Sequence, residues 1–211
     1  MEKAHINTGF RKVLEIPSFY DLFQTLIGGN LHREEHFKKH IINKKIESIL
    51  DIGCGTAVLL DHLLDKKIKY IGCDMQQSYI TKARNKYKDK GEFYCEKVGE
   101  HVREEWIGKF DIINAHGLLH HLSDEESKAL LEISSKYLKP EGFLVTVDSL
   151  FHDQQSKLSK WLVSKDRGQN IRQPKEYLKL AGNYFRNVES YIDDKSLRIP
   201  YSIFTMIMYK S

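Results

Sequence analysis

The stretch Ser48–Leu60, SILDIGCGTAVLL, sets the architecture that we predict for this 211-residue chain. Ser48–Ile52 is a short apolar run typical of a buried strand, and Thr56–Leu64 has the pattern of a helix. Gly53–Gly55 forms a tight turn between them, and glycine is needed where φ is positive or where a ligand touches the backbone. A strand, a glycine turn and a helix N-terminus together predict a nucleotide-binding site at the carboxyl edge of a parallel sheet.

The composition is typical of a single globular domain. The chain is long enough for a sizeable core, and its formal net charge of +4 is mild. It contains no dense block of Lys and Arg and no apolar run of membrane-spanning length, so we expect neither a nucleic-acid nor a membrane partner. Cys54, Cys73 and Cys95 form no CxxC pair, which indicates reduced, buried thiols in a cytoplasmic protein and no metal site. We expect a monomer or a homodimer.

The first 45 residues precede the sheet and predict two helices. Apolar residues at helical spacing over Tyr20–Ile27 predict the first helix, which Gly28–Asn30 is expected to end. The second helix is expected over residues 33–42. Such a pair either packs across the sheet edge as part of the hydrophobic core or covers the ligand as a lid. The polar ends of the Tyr20 and Arg33 side chains are compatible with a lid.

Beyond Glu47, short apolar runs alternate with longer helical patterns, which predicts right-handed crossovers and a parallel sheet covered on both faces. Further strands are expected at Lys69–Cys73, Glu92–Cys95, Phe110–Asn114 and Phe143–Val147. Helices are expected over residues 78–87, over 124–138 behind the N-cap Ser123, over 154–164 and after Pro174. Val188–Ile192 and Tyr201–Tyr209 are joined by a link too short for a crossover helix, so we expect them to pair antiparallel.

Two cofactors compete for the glycine turn. A dinucleotide site requires G-x-G-x-x-G, and the sixth position here is Val58, so that fingerprint is absent. A site for S-adenosyl-L-methionine instead places an acidic residue two positions before the first glycine, where this chain has Asp51. The turn therefore favours S-adenosyl-L-methionine as the cofactor, with S-adenosyl-L-homocysteine as the product.

Leu50–Thr56 (LDIGCGT) resembles motif I of the class I S-adenosylmethionine-dependent methyltransferases. Three further features agree with that family in order and spacing: Asp74 after the second strand, Phe110–Leu122 (FDIINAHGLLHHL) and Leu138–Gly142 (LKPEG). The chain is similar to the small-molecule, methyltransferase-11/12-like proteins of this family, and within them to an uncharacterised bacterial branch.

The resemblance implies a Rossmann-like three-layer α/β sandwich. Its seven-stranded, mostly parallel sheet has the order 3-2-1-4-5-7-6, with the last strand antiparallel, and an N-terminal helical lid lies over it. One methyltransferase domain is implied, divided into the lid (residues 1–45), the cofactor-binding core (46–148) and the substrate-side helices with closing strands (149–211). The family's cofactor contacts fall on Asp51, Gly53, Cys54, Gly55, Asp74, Met75, Lys97, Val98, Asn114, Ala115, His116 and Tyr20.

The same resemblance assigns roles to these residues. Asp51 lies beneath the methionine moiety, whose ammonium group favours a carboxylate, and Asp74 accepts hydrogen bonds from both ribose hydroxyls. Backbone carbonyls of residues 114–116 hold the methionine amine. The chain departs from the family at Ala57, where a third glycine is usual, and at Glu96–Lys97, which leaves the adenine contact open.

Methyl transfer needs little chemical help from the protein, because the cofactor is already activated. In-line positioning contributes about 7–11 kcal/mol. A hydroxyl acceptor also needs a general base, and a histidine in that role contributes roughly 10²–10⁴-fold. His116 and His120 are the candidates for the catalytic base, while His121 is either structural or a substrate contact. We expect no metal site from these three histidines, because the strand and loop directions diverge.

The acceptor should lie against the irregular segments. Asp166–Arg172 (DRGQNIR) and Leu197–Tyr201 (LRIPY) resemble segments of the same bacterial branch. The candidate substrate contacts are His121, Arg167, Arg172, Arg198 and Tyr201. The three arginines suit a carboxylate or phosphate; alternatively they form surface salt bridges or a structural pair with Asp166. We predict methyl transfer to a hydroxyl or carboxyl oxygen of an anionic small molecule.

Two other functions remain open. An RNA or protein methyltransferase that acts on exocyclic amino groups uses an Asn/Asp-Pro-Pro-aromatic run, whereas this chain has Asn114–Gly117 (NAHG) and no appended basic domain. A non-catalytic S-adenosylmethionine-binding protein would keep the same pocket residues, so the sequence does not separate it from an enzyme.

Overall fold

The computed structural model describes residues 29–210, with side chains from Arg33 onward. Its strands are β1 (Ser48–Ile52), β2 (Lys69–Asp74), β3 (Glu92–Cys95), β4 (Phe110–His116), β5 (Leu138–Ser149), β6 (Asn187–Asp193) and β7 (Ile203–Tyr209). They form one sheet in the order β3-β2-β1-β4-β5-β7-β6. Strand β7 runs antiparallel to both of its neighbours, and the other adjacent pairs are parallel. The predicted fold class and strand order are confirmed.

The chain enters the sheet through α1 (Gly29–Phe37) and a π-helical turn (Lys38–Ile42). The helix predicted over residues 33–42 is present but begins earlier. Gly29 and Asn30 are the first residues of this helix. The prediction that Gly28–Asn30 end a preceding helix depends on residues outside the described range and stays a prediction. Gly and Asn suit a helix N-terminus as well as a C-terminus, and the local sequence does not distinguish the two. The helix predicted over Tyr20–Ile27 lies outside the described residues.

The helix that follows the glycine turn is shorter than predicted. Helix α2 spans Val58–Asp61 instead of Thr56–Leu64. Ala57 has a φ of 60°, in the left-handed region, and a residue in that conformation cannot belong to a right-handed helix. Beyond Asp61 the chain continues in turns with i→i+3 hydrogen bonds.

Helices α3 (Gln77–Tyr87) and α4 (Asp124–Tyr137) pack on the sheet. As predicted, Ser123 caps α4: its hydroxyl accepts from the Glu126 N–H at 3.2 Å, and the Glu126 carboxylate accepts from the Ser123 N–H at 2.8 Å. Strand β5 is longer than predicted, because it begins directly after α4 and its pairing with β4 contains a register shift. Gly142 permits this close approach, since a Cβ there would lie 2.8 Å from the Phe110 carbonyl oxygen.

Helices α5 (Lys157–Val163) and α6 (Pro174–Ala181) follow β5. Helix α5 begins later than residue 154, because Ser156 is its N-cap and accepts from the Ser159 N–H at 3.1 Å. Strands β6 and β7 then pair antiparallel from Asn187↔Tyr209 to Asp193↔Ile203, which confirms that prediction.

Apolar side chains fill both faces of the sheet. Leu50 and Ile113 belong to one buried cluster, and their chain neighbours Ile49 and Ile112 belong to the other. A parallel sheet covered on both faces leaves the carboxyl edge of its strands for a ligand.

The three cysteines are unpaired but differ in exposure. Cys73 is buried, Cys54 is half-buried and Cys95 is exposed. The prediction of buried thiols is therefore confirmed for Cys73 and wrong for Cys95, which ends the edge strand β3. Among residues 29–210, no helix has the length and apolar character needed to cross a membrane.

Candidate active site

The carboxyl end of β1 leads into a turn that the neighbouring strand holds in place. The N–H groups of Gly53 and Cys54 donate to the Cys73 carbonyl at 2.8 and 3.0 Å. Gly53 and Gly55 have φ values of 70° and 55°, which L side chains disfavour. A Cβ added to Gly55 would meet no described atom within 4 Å. The turn therefore presents bare backbone to open space at the sheet edge.

Asp51 is buried on β1 and held by two side chains. The Tyr70 hydroxyl donates to its Oδ2 at 2.6 Å, and the Asn114 amide donates to its Oδ1 at 2.7 Å. Burial raises the pKa of Asp51 to about 6; the two hydrogen bonds and the charge of Arg33 on α1 oppose this rise without cancelling it. A carboxylate buried in this way gains stability from any cationic group that a ligand brings to it.

Asp74 ends β2 and ties the glycine turn to the start of α3. Its Oδ2 accepts from the Gly55 N–H at 2.9 Å, and its Oδ1 accepts from the Gln76 N–H at 2.8 Å. Each carboxylate oxygen has a second lone pair. Asp74 can therefore accept further hydrogen bonds from the hydroxyls of a ligand lying on the turn.

Strands β1 and β4 part beside Asp51. Their pairing ends at Asp51↔Asn114, and beyond it β4 continues only along β5, through Ala115 and His116. The strand order reverses between β1 and β4, and α/β sheets bind their ligands at such a point. Asn114 is 2% exposed, and within residues 33–210 its Oδ1 has no hydrogen-bond partner. A ligand donor in this crevice would satisfy that oxygen, which is costly to leave unpaired.

His116, at the tip of β4, lies under the N-terminal helix. The ring centroids of His36 and Phe37 are 5.5 and 5.7 Å from that of His116, and both contacts are edge-on. The His36 ring also lies 4.7 Å from His40, whose Nε2 is 2.8 Å from the Tyr191 hydroxyl. Helix α1 and the π-helical turn therefore cover the tip of β4 with imidazole and aromatic rings.

His120 is buried between two carboxylates. Its Nδ1 is 2.9 Å from Asp148 Oδ1, which also accepts the His120 backbone N–H at 3.1 Å, and its Nε2 is 3.5 Å from Asp166 Oδ1. Burial lowers the pKa of His120, but the hydrogen bond to Asp148 and the negative charges of Asp148 and Asp166 outweigh burial and raise it to about 9. A protonated imidazole has no lone pair for an incoming proton, so the geometry favours His116 over His120 as a general base.

A comparison with known protein families identifies the family of the domain that contains this crevice. Residues 50–144 match the Methyltransf_12 family, described as a methyltransferase domain. The chain contains a class I S-adenosylmethionine-dependent methyltransferase domain. Its match begins at Leu50, beside the buried Asp51, and ends in β5, so it covers the glycine turn, Asp74 and the tip of β4.

Individual relatives of the methyltransferase domain agree with this assignment. A ubiquinone biosynthesis O-methyltransferase of Pseudomonas paraeruginosa is 27% identical over 106 residues, which are 48% of this chain and 45% of the relative. An uncharacterised methyltransferase of Alkaliphilus oremlandii is 29% identical over 166 residues, 77% of this chain and 71% of the relative. The chain thus spans about half the length of the first of these relatives.

A solved structure shares the fold. The plantazolicin methyltransferase BpumL, in complex with a triazolic desmethylPZN analogue and SAH, superposes with a TM-score of 0.66 at 18% identity. The superposition covers 93% of this chain and 90% of BpumL. At this identity the likeness shows the architecture of the methyltransferase domain and not its acceptor.

The three arginines predicted to bind the acceptor are not equivalent. Arg172 is buried and makes five hydrogen bonds of 2.8–3.1 Å, to the side chain of Asp124 and to the carbonyls of Leu119, Leu122 and Asn170. A guanidinium group has five N–H donors, so Arg172 has none left for an acceptor. The structural alternative holds for Arg172, with Asp124 rather than Asp166 as its acidic partner. Arg167 and Arg198 are exposed.

Two other predicted acceptor contacts are linked to His120, Tyr201 through Asp166 and His121 through a direct ring contact. The Tyr201 hydroxyl makes hydrogen bonds with Asp166 and, at 2.7 Å, with the hydroxyl of Ser149. His121 is exposed, but its ring lies 4.2 Å from that of His120. Partial burial of that ring, followed by the positive charge of His120, lowers the pKa of His121 to about 4.

The remaining predicted cofactor contacts are spread over the sheet edge. Met75 is 64% exposed directly after Asp74. The Cys54 thiol packs closely against Gly72, since a Cβ added to Gly72 would lie 2.9 Å from the Cys54 sulfur. Lys97 forms an ion pair with Glu126 at 2.7 Å, and Val98 packs against the core. Tyr20 lies outside the described residues.

Four residues that shape the site are not among the site residues predicted from the sequence: Tyr70, Asp148, Asp166 and His36. Asp148 carried a usable signal, because it lies near the end of a parallel strand, as Asp74 does, and such ends meet at one edge of a sheet. The sequence predicts for Asp166 only a salt bridge with an arginine. No local pattern pairs Tyr70 with Asp51 or His36 with His116, since these contacts depend on register and on helix packing.

Proposed function

We propose that this chain transfers a methyl group from S-adenosylmethionine to an oxygen of a small, anionic acceptor. The observation that carries the proposal is the crevice at the parting of β1 and β4. There the buried Asp51 and the unpaired Oδ1 of Asn114 lie at the same sheet edge as the bare backbone of Gly55.

The residues present fit the cofactor. Asp51 offers a negative charge, and Asn114 Oδ1 an acceptor, to the ammonium group of the methionine moiety. Asp74 offers its remaining lone pairs to the ribose hydroxyls, beside the open face of Gly55. The bound cofactor supplies a methyl group activated by its positively charged sulfur.

The chain's own contribution is positioning and shielding. The rigid turn between β1 and α2 fixes one side of the crevice, and α1 covers the tip of β4 through His36 and Phe37. Holding two reactants in line removes much of the entropic part of the barrier, about 7–11 kcal/mol in favourable cases. For a hydroxyl acceptor, His116 is the residue at the strand tip that we assign to removing the proton.

Two observations support a small, anionic acceptor that receives the methyl group on an oxygen atom. Arg167 and Arg198 are exposed on the segments that follow β5 and β6, where they can meet a carboxylate or phosphate. One relative is named as an O-methyltransferase of ubiquinone biosynthesis. Arg172 is not part of this proposal, because its donors are used within the chain.

Asp74→Ala is expected to weaken binding of both S-adenosylmethionine and S-adenosylhomocysteine by roughly 10–100-fold, since hydrogen bonds to a charged group contribute about 1.5–3 kcal/mol. Isothermal titration calorimetry measures both dissociation constants. Asp89→Ala, which changes an exposed aspartate before β3, is the matched control and should bind as the wild type does. Equal affinities for the Asp74 and Asp89 variants would show that Asp74 does not hold the ribose.

Turnover is tested by incubating the purified chain with methyl-labelled S-adenosylmethionine and a small-molecule extract, then separating the products by mass. We expect label in a low-molecular-weight anion, and Asp74→Ala should produce less of it when S-adenosylmethionine is limiting. Arg167→Ala and Arg198→Ala should raise the acceptor KM while leaving cofactor affinity unchanged. Label recovered in RNA or protein would establish the alternative acceptors, and cofactor binding without any labelled product would indicate a non-catalytic binding protein.

A further inference from the structure

Beside the proposed cofactor site, three side chains from two segments bring ligand atoms together. The ring nitrogens of His120 and His121 and a carboxylate oxygen of Asp166 all lie within 4.8 Å of one another. His120 and His121 belong to the turn after β4, and Asp166 belongs to the loop after α5. From the sequence, no metal site is expected of His116, His120 and His121; in the structure, Asp166 rather than His116 joins the other two histidines.

The spacing of the cluster suits a metal ion better than a direct hydrogen bond. His120 Nε2 and Asp166 Oδ1 are 3.5 Å apart, which is longer than the usual range for a hydrogen bond. Two ligand atoms bound tetrahedrally to one ion at about 2.1 Å stand roughly 3.4 Å apart. An ion can therefore enter between these atoms with little movement of either side chain.

The ring of His120 is held as metal-binding histidines are held. Its Nδ1 lies 2.9 Å from Asp148 Oδ1, so that nitrogen donates its hydrogen to the carboxylate. Its Nε2 faces Asp166, and an ion bound there would take the place of the proton that Nε2 carries in the metal-free, cationic ring. Gly168 packs against the ring so closely that a Cβ there would lie 2.3 Å from His120 Cδ2. Asp148 is 2% exposed, and its Oδ2 has no hydrogen-bond partner in the described part of the chain.

Asp166 is fixed from its other side. Its carboxylate accepts hydrogen bonds from the Gly168 N–H at 2.7 Å, from the Ser149 hydroxyl at 3.2 Å and from the Tyr201 hydroxyl. His121, by contrast, is exposed, so the cluster has a buried wall and an open side. Three protein ligands with an open side are the arrangement of metal sites that bind a substrate or water.

We propose that His120, His121 and Asp166 bind one divalent transition-metal ion, with Asp148 orienting His120 from behind. Two imidazoles and one carboxylate favour Zn²⁺ and its first-row neighbours over Mg²⁺ and Ca²⁺, which prefer oxygen ligands. If the proposed function is correct, the open side of the ion faces the acceptor, and a metal-bound hydroxyl oxygen loses its proton more readily. The site itself does not depend on that function.

The test measures metal binding without cofactor. The full chain is stripped with EDTA, dialysed and titrated with ZnCl₂ by calorimetry, and the bound metal is counted by mass spectrometry. We expect one equivalent of Zn²⁺ per chain and no heat with MgCl₂ at the same concentration. Co²⁺ in place of Zn²⁺ should give the visible absorption of a protein-bound ion.

His121→Ala is the decisive variant, because His121 is exposed and its loss should leave the metal-free melting temperature unchanged. We expect it to weaken Zn²⁺ binding by roughly 100-fold, at the upper end of the effect of changes around a metal. His101→Ala, which removes an exposed histidine outside the cluster, should bind as the wild type does. The proposal is overturned if the wild type takes up no Zn²⁺, or if uptake survives in His121→Ala. A separate titration with S-adenosylhomocysteine keeps either result distinct from failure of the proposed function.

Discussion

Asp51→Asn is expected to weaken S-adenosylmethionine binding by roughly 100-fold while making the ligand-free protein more stable at pH 8. The loss arises because the variant removes the charge that Asp51 offers to the ammonium group, and charge-assisted hydrogen bonds contribute about 1.5–3 kcal/mol. The gain arises because the native carboxylate is buried: its pKa is raised from 3.8 to about 6. A carboxyl group with a raised pKa stabilises the fold below its unfolded pKa and loses that contribution as pH rises through about 6. At pH 8 the variant should recover about 2–3 kcal/mol.

The Asn114 side chain makes this substitution compatible with the fold. In the wild type its Nδ2 donates to Asp51, while its Oδ1 is buried without a partner among the described residues. In the variant, a 180° rotation of the Asn114 amide turns that oxygen toward the amide introduced at position 51, which can donate to it, and the Tyr70 hydroxyl can still donate to the new side-chain carbonyl. Urea unfolding at pH 8 measures the stability, and calorimetry measures the affinity. An Asp51→Asn protein that binds the cofactor like the wild type would remove Asp51 from the proposed site.

The affinity of the wild type for S-adenosylmethionine should fall below pH 6. Protonation of Asp51 competes with binding of the ammonium group, so the dissociation constant is expected to be flat above the pKa of about 6 and to rise by up to tenfold per pH unit below it. Calorimetry between pH 5 and 8 tests this, with Asp51→Asn as the control. The variant should show no such dependence; a parallel rise in both proteins would assign the titration to another group.

The parts of the fold that could be predicted from the sequence are those determined by short, contiguous sequence patterns. The run Ser48–Ile52, the glycine turn and Asp74 at the end of β2 lie within a short stretch, and each has one favoured structural interpretation. The length of α2 could not be predicted, because Ala57 adopts a left-handed conformation that alanine ordinarily avoids and that its surroundings impose. Likewise, β5 extends back to α4 only because Gly142 lets it approach β4.

The roles of the histidines and arginines are harder to predict from the sequence than the fold, because a residue's type shows its chemistry but not whether its side chain is buried. Asp148 and Asp166 are 28 and 46 residues from His120 along the chain, and no pattern in the sequence brings them together. Their contacts turn a candidate base into a buried cation. Arg172 and Arg167 stand five residues apart in one polar segment, yet Arg172 is buried and Arg167 is exposed. The loop geometry that separates them is set by tertiary hydrogen bonds.

Arg172→Ala is expected to lower the free energy of unfolding by about 3–5 kcal/mol. The side chain joins the turn after β4 to the segment before α6, since its guanidinium group donates to the carbonyls of Leu119 and Leu122 and to Asp124. Removing it leaves these carbonyls without their donor, at about 1–3 kcal/mol for each buried group. For a chain of this length the melting temperature should fall by roughly 10 °C, as thermal unfolding followed by circular dichroism would show.

The matched variants separate this structural role from acceptor binding. Arg172→Lys should recover only a minor part of the loss, because an ammonium group cannot span the acceptors that a planar guanidinium group reaches. Arg167→Ala, at an exposed position of the same segment, should change stability by no more than about 0.5 kcal/mol. If Arg172→Ala instead unfolded like the wild type and raised only the acceptor KM, Arg172 would belong to the acceptor site. The turn that carries His120 and His121 would then be held by other contacts, and its rigidity would no longer support either the metal site or the placement of the acceptor beside it.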